Sequence, residues 1–288
     1  MHAFLFLVSY DKYGRIINKG ENHMESVQST YTMVRYQGGT FHQKDDEVVT
    51  EYPLTIKLNG EEYVTIVCTP DYIEDMVVGF LISEGIIPSY KHIEQLWIQK
   101  EKGFAHVTTM QTNPLYQTCY NKRYVTSCCG KSRQGFVFVN DAAKAKTMHD
   151  IHITLRPEDC FRLMNELQQS STTFQETGGV HNTALCDEKQ ILVSRMDIGR
   201  HNALDKIYGY CLRNNISITG KVIAFSGRIS SEILLKVAKI GCEIVLSKSA
   251  PTKLALELAH DLGITVVGFI RGDSCNIYTH PERIEGYK

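Results

Sequence analysis

The sequence predicts an α/β fold, and two patterns in its C-terminal part carry that prediction. Between Lys189 and His280, four apolar runs rich in β-branched residues are typical of strands, and each ends in a glycine- or serine-containing turn with a positive charge. Helical spacing of apolar residues follows each of the first three runs. Strands that alternate with helices indicate a sheet covered on both faces, and unbroken apolar strands indicate parallel strands buried on both sides.

The individual elements of this region follow from the same spacing. Helices are predicted over four segments, residues 158–171, 201–212, 231–240 and 251–262. Strands are predicted over five segments, residues 180–186, 191–195, 222–225, 243–246 and 264–270. We therefore expect residues 136–288 to form one ligand-binding domain.

The region before this domain has more strand than helix. Residues 47–68 hold two alternating runs around Asn59-Gly60, which is a strong hairpin signal. Thr69-Pro70-Asp71 has the composition of a helix start, with a capping residue, a proline and an acid, and a helix is predicted to follow over residues 73–85. Two short strands are expected over residues 92–110. We predict a small α+β domain at 47–112, between a partly irregular extension (1–46) and a mobile polar loop (113–135).

Composition limits the class of protein. The 288-residue chain has 43% apolar and 22% charged residues and a net charge of −1, which is ordinary for a globular protein and gives no global bias toward nucleic acid or membrane. Its nine cysteines are odd in number and scattered, which favours a reducing cytoplasm over a disulfide-bonded secreted fold. The apolar run Ala3–Val8 is too short to span a bilayer, which takes ~20 residues. We expect a cytoplasmic protein that binds neither nucleic acid nor membrane.

The turns that follow the predicted strands have the residue types of an anion site. Ligands of open α/β sheets bind beyond the carboxyl ends of the strands, where helix N-termini add unpaired N–H groups. Glycines there allow close backbone approach, serines offer hydroxyls, and each turn carries one basic residue: Gly199, Gly227 and Gly272; Ser226, Ser230, Ser247, Ser249 and Ser274; Arg200, Arg228, Lys248 and Arg271. Neither GxGxxG nor GxxxxGK[ST] is present. The turns therefore predict a phosphate-bearing ligand held without either motif; ordinary loops with solvated basic residues are the alternative.

A dense polar cluster lies where one strand passes into a helix. It consists of Asp197, Arg200, His201, Asn202, Asp205 and Lys206. One of these residues would be enough to cap the helix, so the rest indicate a binding role. His181 lies in a neighbouring predicted strand and is either a second member of the pocket or a core histidine.

Cys128-Cys129 admits three interpretations. A disulfide between neighbours is disfavoured, because adjacent Cα atoms are ~3.8 Å apart and disulfides need about 4.4–6.8 Å. A zinc site would need further ligands; Cys119 is a candidate third, but no CxxC or HxxxH pattern accompanies it. A reactive thiol is favoured, because Arg123, Lys131 and Arg133 surround the pair and stabilise a thiolate.

Several segments closely resemble the formate dehydrogenase accessory protein family FdhD, a family of sulfurtransferases. They are EYPLTIKLNGE, GFLISEGII, TGGVHNTALCD, RMDIGRHNALDKIYG, FSGRISSE, SKSAPT and GFIRGDSCNIYTHPERI, and they extend over about residues 45–284. The DIGRHNALDK block is highly specific. The resemblance implies a cytidine deaminase-like fold for the C-terminal domain. The sequence lacks H-x-E and P-C-x-x-C, so deaminase activity is not expected.

The resemblance also implies a function. The family takes persulfide sulfur from a cysteine desulfurase and transfers it to the bis-molybdopterin guanine dinucleotide cofactor that formate dehydrogenase needs. The implied catalytic residues are Cys128 and Cys129, and no metal ligands are implied. On the matching positions and strand ends, the expected cofactor-binding residues are Gly179, His181, Asp197, Arg200, His201, Asn202, Lys206, Ser226, Gly227, Arg228, Ser247, Lys248, Ser249, Phe269, Ile270, Arg271, Gly272, Asp273 and Ser274. A guanine nucleotide is expected to occupy the same site.

One departure from the family pattern concerns the cysteine loop. The family loop has the form S-C-G-x-C-G, whereas this chain reads Ser127-Cys128-Cys129-Gly130. We expect Cys128 to carry the persulfide and Cys129 to assist. The expected partners are a cysteine desulfurase, formate dehydrogenase and a second copy of the chain. The main alternative is a non-catalytic chaperone that binds the molybdenum cofactor and needs neither cysteine; a nucleotide-metabolising enzyme is a third hypothesis.

Overall fold

The computed structural model describes residues 26–113 and 145–287, with two short backbone strands between them. The N-terminal part contains six strands and one helix, in order β1 (Gln28–Gln37), β2 (Thr40–Val49), β3 (Tyr52–Leu58), β4 (Glu61–Cys68), α1 (Ile73–Ser83), β5 (Ile93–Gln99) and β6 (Phe104–Thr109). The two short strands are β7 (Arg123–Val125) and β8 (Ser132–Gln134).

The C-terminal part alternates helices and strands. Its elements are α2 (Pro157–Gln169), α3 (Thr172–Thr177), β9 (His181–Cys186), β10 (Ile191–Asp197), α4 (Arg200–Arg213), β11 (Val222–Phe225), α5 (Ser231–Ile240), β12 (Ile244–Ser247), α6 (Lys253–Leu262), β13 (Thr265–Arg271) and β14 (Ser274–Thr279). Among the described residues, no helix is both long enough and apolar enough to cross a bilayer.

A six-stranded sheet organises this part in the order β10-β9-β11-β12-β13-β14. Strands β11, β12 and β13 are parallel, whereas β9 pairs antiparallel with both β10 and β11. Because β9 is antiparallel to both of its neighbours, β10 runs parallel to β11. The four predicted strands therefore end at one edge of the sheet, and β9 begins there. The prediction of an α/β fold is confirmed.

Both faces of the six-stranded sheet are covered. Leu185 of β9 packs into a core with apolar residues of α4, α5 and α6. Ala184 and Cys186 point to the other face, where they pack with Leu163 and Leu167 of α2. Successive residues of a strand face opposite sides, so one apolar run supplies both cores.

A smaller sheet of four strands, in the order β4-β3-β6-β5, packs against α1. The predicted hairpin joins β3 and β4, and its turn residues Asn59 and Gly60 have φ of 50° and 92°. Positive φ at both positions matches the turn that suits twisted antiparallel strands, and Asn-Gly adopts it readily. The hairpin prediction is confirmed.

Residues 28–49 are more regular than was expected for the partly irregular extension (1–46). Strands β1 and β2 pair antiparallel along their whole length, from Gln28 opposite Val49 to Gln37 opposite Thr40. Most side chains on both faces of this hairpin are exposed. An apolar–polar alternation arises only where one face is buried, so the sequence carried no such signal here. The predicted domain boundaries stay a prediction.

Helices α1 and α4 cross with their backbones in direct contact at two glycines. A Cβ added at Gly79 would lie 1.9 Å from the Asp205 carbonyl oxygen, and one at Gly209 would lie 1.8 Å from the Asp75 carbonyl oxygen. Any side chain at either position would force the helices apart. The crossing therefore fixes the N-terminal part against α4.

We expect Gly209→Ala to destabilise the protein by about 3 kcal/mol, because the added methyl group has no room. In an exposed helix the same change would raise the free energy of unfolding by about 1 kcal/mol. A decrease would therefore indicate that position 209 lies in a close helix contact. Urea unfolding measures the effect, with Asn165→Ala on the exposed side of α2 as control. An unchanged or raised midpoint for Gly209→Ala would contradict the close crossing.

Candidate ligand-binding site

The carboxyl edge of the six-stranded sheet gathers the predicted site residues of the C-terminal part. The turns after β10, β11, β12 and β13 meet there, together with the start of β9 at His181. The residues differ in exposure. Arg228 and residues 271–274 are exposed, whereas Asp197, Lys206 and Ser247 are completely buried.

Three of the predicted serines bind the turns to one another. The Asn182 amide donates to Ser226 Oγ (2.9 Å), and the Ser226 amide donates to the Asn182 carbonyl (2.9 Å). Ser247 Oγ donates to the Gly227 carbonyl (2.8 Å) and accepts from the Ser249 amide (2.9 Å). Ser249 Oγ donates to the Ser226 carbonyl (3.2 Å). These hydroxyl groups therefore fix the turns relative to one another, and their contact with a ligand stays a prediction.

Asp197 and Asn202 are occupied at the start of α4. Asp197 Oδ1 accepts from the Gly199 amide (2.8 Å) and from Asn202 Nδ2 (2.9 Å). Asn202 Nδ2 also donates to the Val67 carbonyl of β4 (2.9 Å). Asp197 Oδ2 accepts from the Thr69 amide (3.0 Å), so the carboxylate joins the two parts of the chain.

Lys206 completes this buried network. Its side chain is 0% exposed, and Nζ lies 2.9 Å from Asp197 Oδ2, 2.6 Å from Asp71 Oδ1 and 2.7 Å from Thr69 Oγ1. Asp197, Asn202 and Lys206 were expected to contact a ligand. In this conformation the Asp197 carboxylate, Asn202 Nδ2 and Lys206 Nζ bond to other groups of the protein and position α4, and their contact with a ligand stays a prediction.

Thr69 and Asp71 were not predicted as site residues, and the prediction for their segment needs correction. The helix α1 begins at Ile73, where it was predicted, but the residue at its start is Tyr72, with φ of 48°, and not Thr69. Thr69 instead donates to Asp197, 128 residues further along the chain. No local pattern reveals such a partner.

A second buried network joins α1, α4 and α5. Lys236 Nζ lies 2.7 Å from Asp205 Oδ1 and 3.1 Å from Glu84 Oε1, and it also bonds to Ser83 Oγ (2.8 Å). Burial raises the pKa of Asp205, while Lys236 opposes that change. Asp205 therefore belongs to the helix packing rather than to the exposed edge.

Arg200, His201 and His181 remain at the edge as candidates for ligand contact. His201 Nε2 lies 3.0 Å from Glu232 Oε2, which joins the first turns of α4 and α5. Burial lowers the pKa of His181, and Arg200 and His201 lower it further against the opposing effect of Asp197. Burial also lowers the pKa of His201, although Glu232 raises it. Both imidazoles are therefore neutral near pH 7.

The turn after β13 has an unusual backbone. Phe269 has φ of 52° and lies in a bulge between the paired residues Gly268 and Arg271. Ile270 is only 2% exposed and packs into the core below the sheet, so a ligand would meet its backbone. The Arg271 guanidinium lies 5.6 Å from the Phe269 ring. This turn presents exposed polar groups from Arg271 to Ser274, and its role as a ligand loop stays a prediction.

Three further predicted residues, Lys248, Gly227 and Gly179, have close contacts within the protein. Lys248 donates to Gln168 Oε1 of α2. A Cβ at Gly227 would lie 2.9 Å from the Phe225 ring, so close packing against that ring favours glycine here. Gly179 is exposed, and a Cβ there would lie 2.8 Å from Val49 of β2. Packing against the β1–β2 hairpin is thus one reason for that glycine.

The predicted catalytic residues, Cys128 and Cys129, lie outside the described residues. Within the part that is described, no group of three or more His, Cys, Asp or Glu side chains is arranged to hold a metal ion. Among the described cysteines, Cys275 is partly buried and the others are buried. Burial raises its pKa, which disfavours the thiolate.

We expect Lys206→Met to cost about 3–5 kcal/mol of folding stability, because it leaves Asp197 and Asp71 buried without their cation. Lys253→Met is the matched control: Lys253 pairs with Glu257 at 3.4 Å but is 91% exposed, so its loss should change stability by less than about 1 kcal/mol. Chemical unfolding of both variants checks this. Equal effects would contradict the assigned role of Lys206.

The lowered pKa of His181 predicts a pH dependence of stability. The unfolded chain, with a histidine pKa of 6.5, binds the proton more readily than the folded chain. The neutral ring therefore contributes stability above pH 6.5, and that contribution is lost as the pH falls toward the folded pKa. His181→Gln should show a smaller fall in Tm between pH 7.5 and 5.5 than the parent. The exposed His260→Gln should follow the parent curve; a parent-like curve for His181→Gln would contradict the prediction.

Comparison with known proteins identifies the family. The model of the FdhD/NarQ family matches residues 49–285. Proteins named sulfur carrier protein FdhD from Shouchella clausii and Bacillus subtilis are each 53% identical, over 91% and 90% of this chain and 98% of each relative. A crystal structure described as a formate dehydrogenase accessory protein of Desulfotalea psychrophila matches with a TM-score of 0.73 and 25% identity, over 90% of this chain and 100% of that chain. The chain belongs to the FdhD/NarQ family.

Proposed function

We propose that this protein is a sulfur carrier in the maturation of formate dehydrogenase. Relatives that are 53% identical over nearly their whole length are named sulfur carrier proteins, and the structural neighbour is described as a formate dehydrogenase accessory protein. The structural observation that carries the proposal is the basic carboxyl edge of the six-stranded sheet in this chain. Arg200, Arg228, Lys248 and Arg271 gather there from four separate turns.

The proposed substrate is bis-molybdopterin guanine dinucleotide, or the nucleotide part of it. Its phosphate groups require cations and N–H donors, and charge-assisted contacts of this kind are the strong ones. The sheet edge offers exposed guanidinium groups at Arg228 and Arg271, together with the first turns of α4 and α5. The exposed turn at residues 271–274 adds hydroxyl and backbone groups. These residues fit a phosphate-rich ligand.

Sulfur transfer would use a thiolate of the cysteine pair. In the proposed step, the Cys128 thiolate attacks the terminal sulfur of a desulfurase persulfide. A new S–S bond forms on Cys128, the donor's S–S bond breaks, and the donor cysteine leaves as a thiolate. The step needs no external oxidant or reductant, because one sulfur atom moves between two thiols. Cys129 would assist, and the Cys128 persulfide would be the sulfur donor to the molybdenum cofactor. That transfer would return Cys128 to the thiolate, and a thiol reductant would supply the two electrons that convert the outer sulfur to sulfide.

The proposal implies three partners in the cytoplasm. A cysteine desulfurase would donate sulfur, formate dehydrogenase would receive the finished cofactor, and a second copy of this chain would suit a ligand with two pterins. The proposal includes no membrane or nucleic-acid partner.

The proposal predicts a one-sulfur adduct on the peptide that contains residues 126–131. Intact-mass and peptide mass spectrometry would follow incubation with a desulfurase and cysteine. Cys128→Ala should abolish the adduct without changing the binding of a guanine nucleotide, because the sulfur carrier and the sheet edge are separate residues. Cys275→Ala is the control and should keep the adduct, since burial raises the pKa of that thiol.

Two outcomes would overturn the sulfur-transfer part. One is an adduct that persists in both the Cys128→Ala and the Cys129→Ala variants. The other is restored formate dehydrogenase activity in cells that carry a double Cys-to-Ser variant. The second result would favour the non-catalytic chaperone, which needs the sheet edge but neither cysteine.

A further inference from the structure

The Arg200 guanidinium has an unused hydrogen-bonding edge. Its Nε and Nη2 atoms are both buried, and neither has a hydrogen-bond partner. These two nitrogens lie on the same side of the planar group, where an oxyanion is bound through two parallel N–H···O bonds. Buried polar groups are nearly always paired, so an unpaired donor pair at a candidate site indicates a missing acceptor.

The surroundings of Arg200 add further donors. Arg200 is the first residue of α4, a 14-residue helix whose start has no side-chain cap. The 10-residue α5 starts nearby, because His201 in the first turn of α4 contacts Glu232 in the first turn of α5. Ser230 is the N-cap residue of α5, is 3% exposed, and has an unpartnered Oγ. The starts of α4 and α5 are therefore neighbours, and each carries a buried donor without a partner: the Arg200 edge on α4 and the Ser230 hydroxyl on α5.

The carboxylates of Asp197 and Glu232, near Arg200, are bonded to other groups. Both oxygens of Asp197 are bonded to other groups, to Gly199 and Asn202 on one side and to Thr69 and Lys206 on the other. Glu232 is paired with His201. Among the described side chains, none is hydrogen-bonded to Nε or Nη2 of Arg200. The Arg200 edge therefore has the donors of an anion site and lacks an internal anion.

We propose that Arg200 holds one phosphate group of the ligand through its Nε–Nη2 edge, and that the Ser230 hydroxyl donates to the same group. A tetrahedral phosphate offers oxygens in several directions, which suits donors that come from two helix starts. A planar carboxylate would use the guanidinium edge but leave the hydroxyl unpaired. The ligand's larger identity rests on the proposed function, whereas the phosphate contact does not require sulfur transfer.

The two histidines give an independent signature of this contact. The groups that act on the pKa of His181 are Arg200, His201 and Asp197, and the first two lower it. A phosphate bound to Arg200 would offset the positive charge beside His181. Binding should therefore raise the pKa of His181, and the ligand should bind more tightly as the pH falls from 8 to 6.

Titration calorimetry of the full-length protein with pyrophosphate, GDP and guanosine tests the proposal. Arg200→Lys keeps the charge but loses the bidentate edge, so its affinity for pyrophosphate and GDP should fall at least tenfold. Guanosine, which has no phosphate, should bind the variant and the parent equally. Ser230→Ala should weaken pyrophosphate and GDP binding several-fold. Arg162→Lys is the matched control and should bind like the parent, because the Arg162 guanidinium is occupied by Asp159, Glu166 and two carbonyls.

Histidine resonances followed by NMR provide the second measurement. Pyrophosphate should raise the pKa of His181 in the parent but not in Arg200→Lys, a difference that a purely structural role for Arg200 would not produce. Parent-like pyrophosphate and GDP affinity in Arg200→Lys would overturn the proposal, as would acetate binding that matches phosphate binding. Persulfide labelling of the same variant separates the two proposals: sulfur loading without phosphate binding would leave the sulfur-carrier function intact.

Discussion

The contact of α1 with α4 is the constraint on which the candidate site depends. Gly79 and Gly209 let the two backbones touch, and a Cβ at either position would come within 2 Å of a carbonyl oxygen. Two buried lysines reinforce the contact at either side. Lys206 joins α4 to the segment before α1, and Lys236 joins α5 to the end of α1. Breaking a buried pair of this kind is costly, so the small sheet and the large sheet cannot easily shift against each other.

This rigidity determines where the first turns of α4 and α5 lie. Lys206 of α4 pairs with Asp197, and Asp205 of α4 pairs with Lys236. These two contacts fix α4 and place its first residue, Arg200, at the sheet edge. The serine turns then fix the neighbouring loops through hydrogen bonds between Ser226, Ser247 and Ser249. Most polar residues of the region thus serve the geometry of the edge. A minority, including Arg200 and Ser230, has buried polar atoms without a hydrogen-bond partner in the described part of the protein.

The DIGRHNALDK block illustrates how far a motif can be interpreted. As a cluster of polar residues it predicted a ligand pocket, and the structure places its first residues at the sheet edge. Yet Asp197, Asn202 and Lys206 bond to the segment around Thr69, and only Arg200 and His201 stay at the edge. A motif shows that its residues are needed together. It does not separate those that hold the fold from those that face a ligand.

The sequence by itself determined the α/β class, most strand and helix positions of the C-terminal part, the Asn59-Gly60 hairpin and the family. These follow from local periodicity, turn chemistry and specific motifs. Tertiary structure alone decided the rest. It inserted β9 antiparallel between β10 and β11, paired the polar strands β1 and β2, and joined Lys206 to Asp71 across 135 residues. Such pairings depend on burial and on partners distant in the chain, and neither leaves a periodic trace in the sequence.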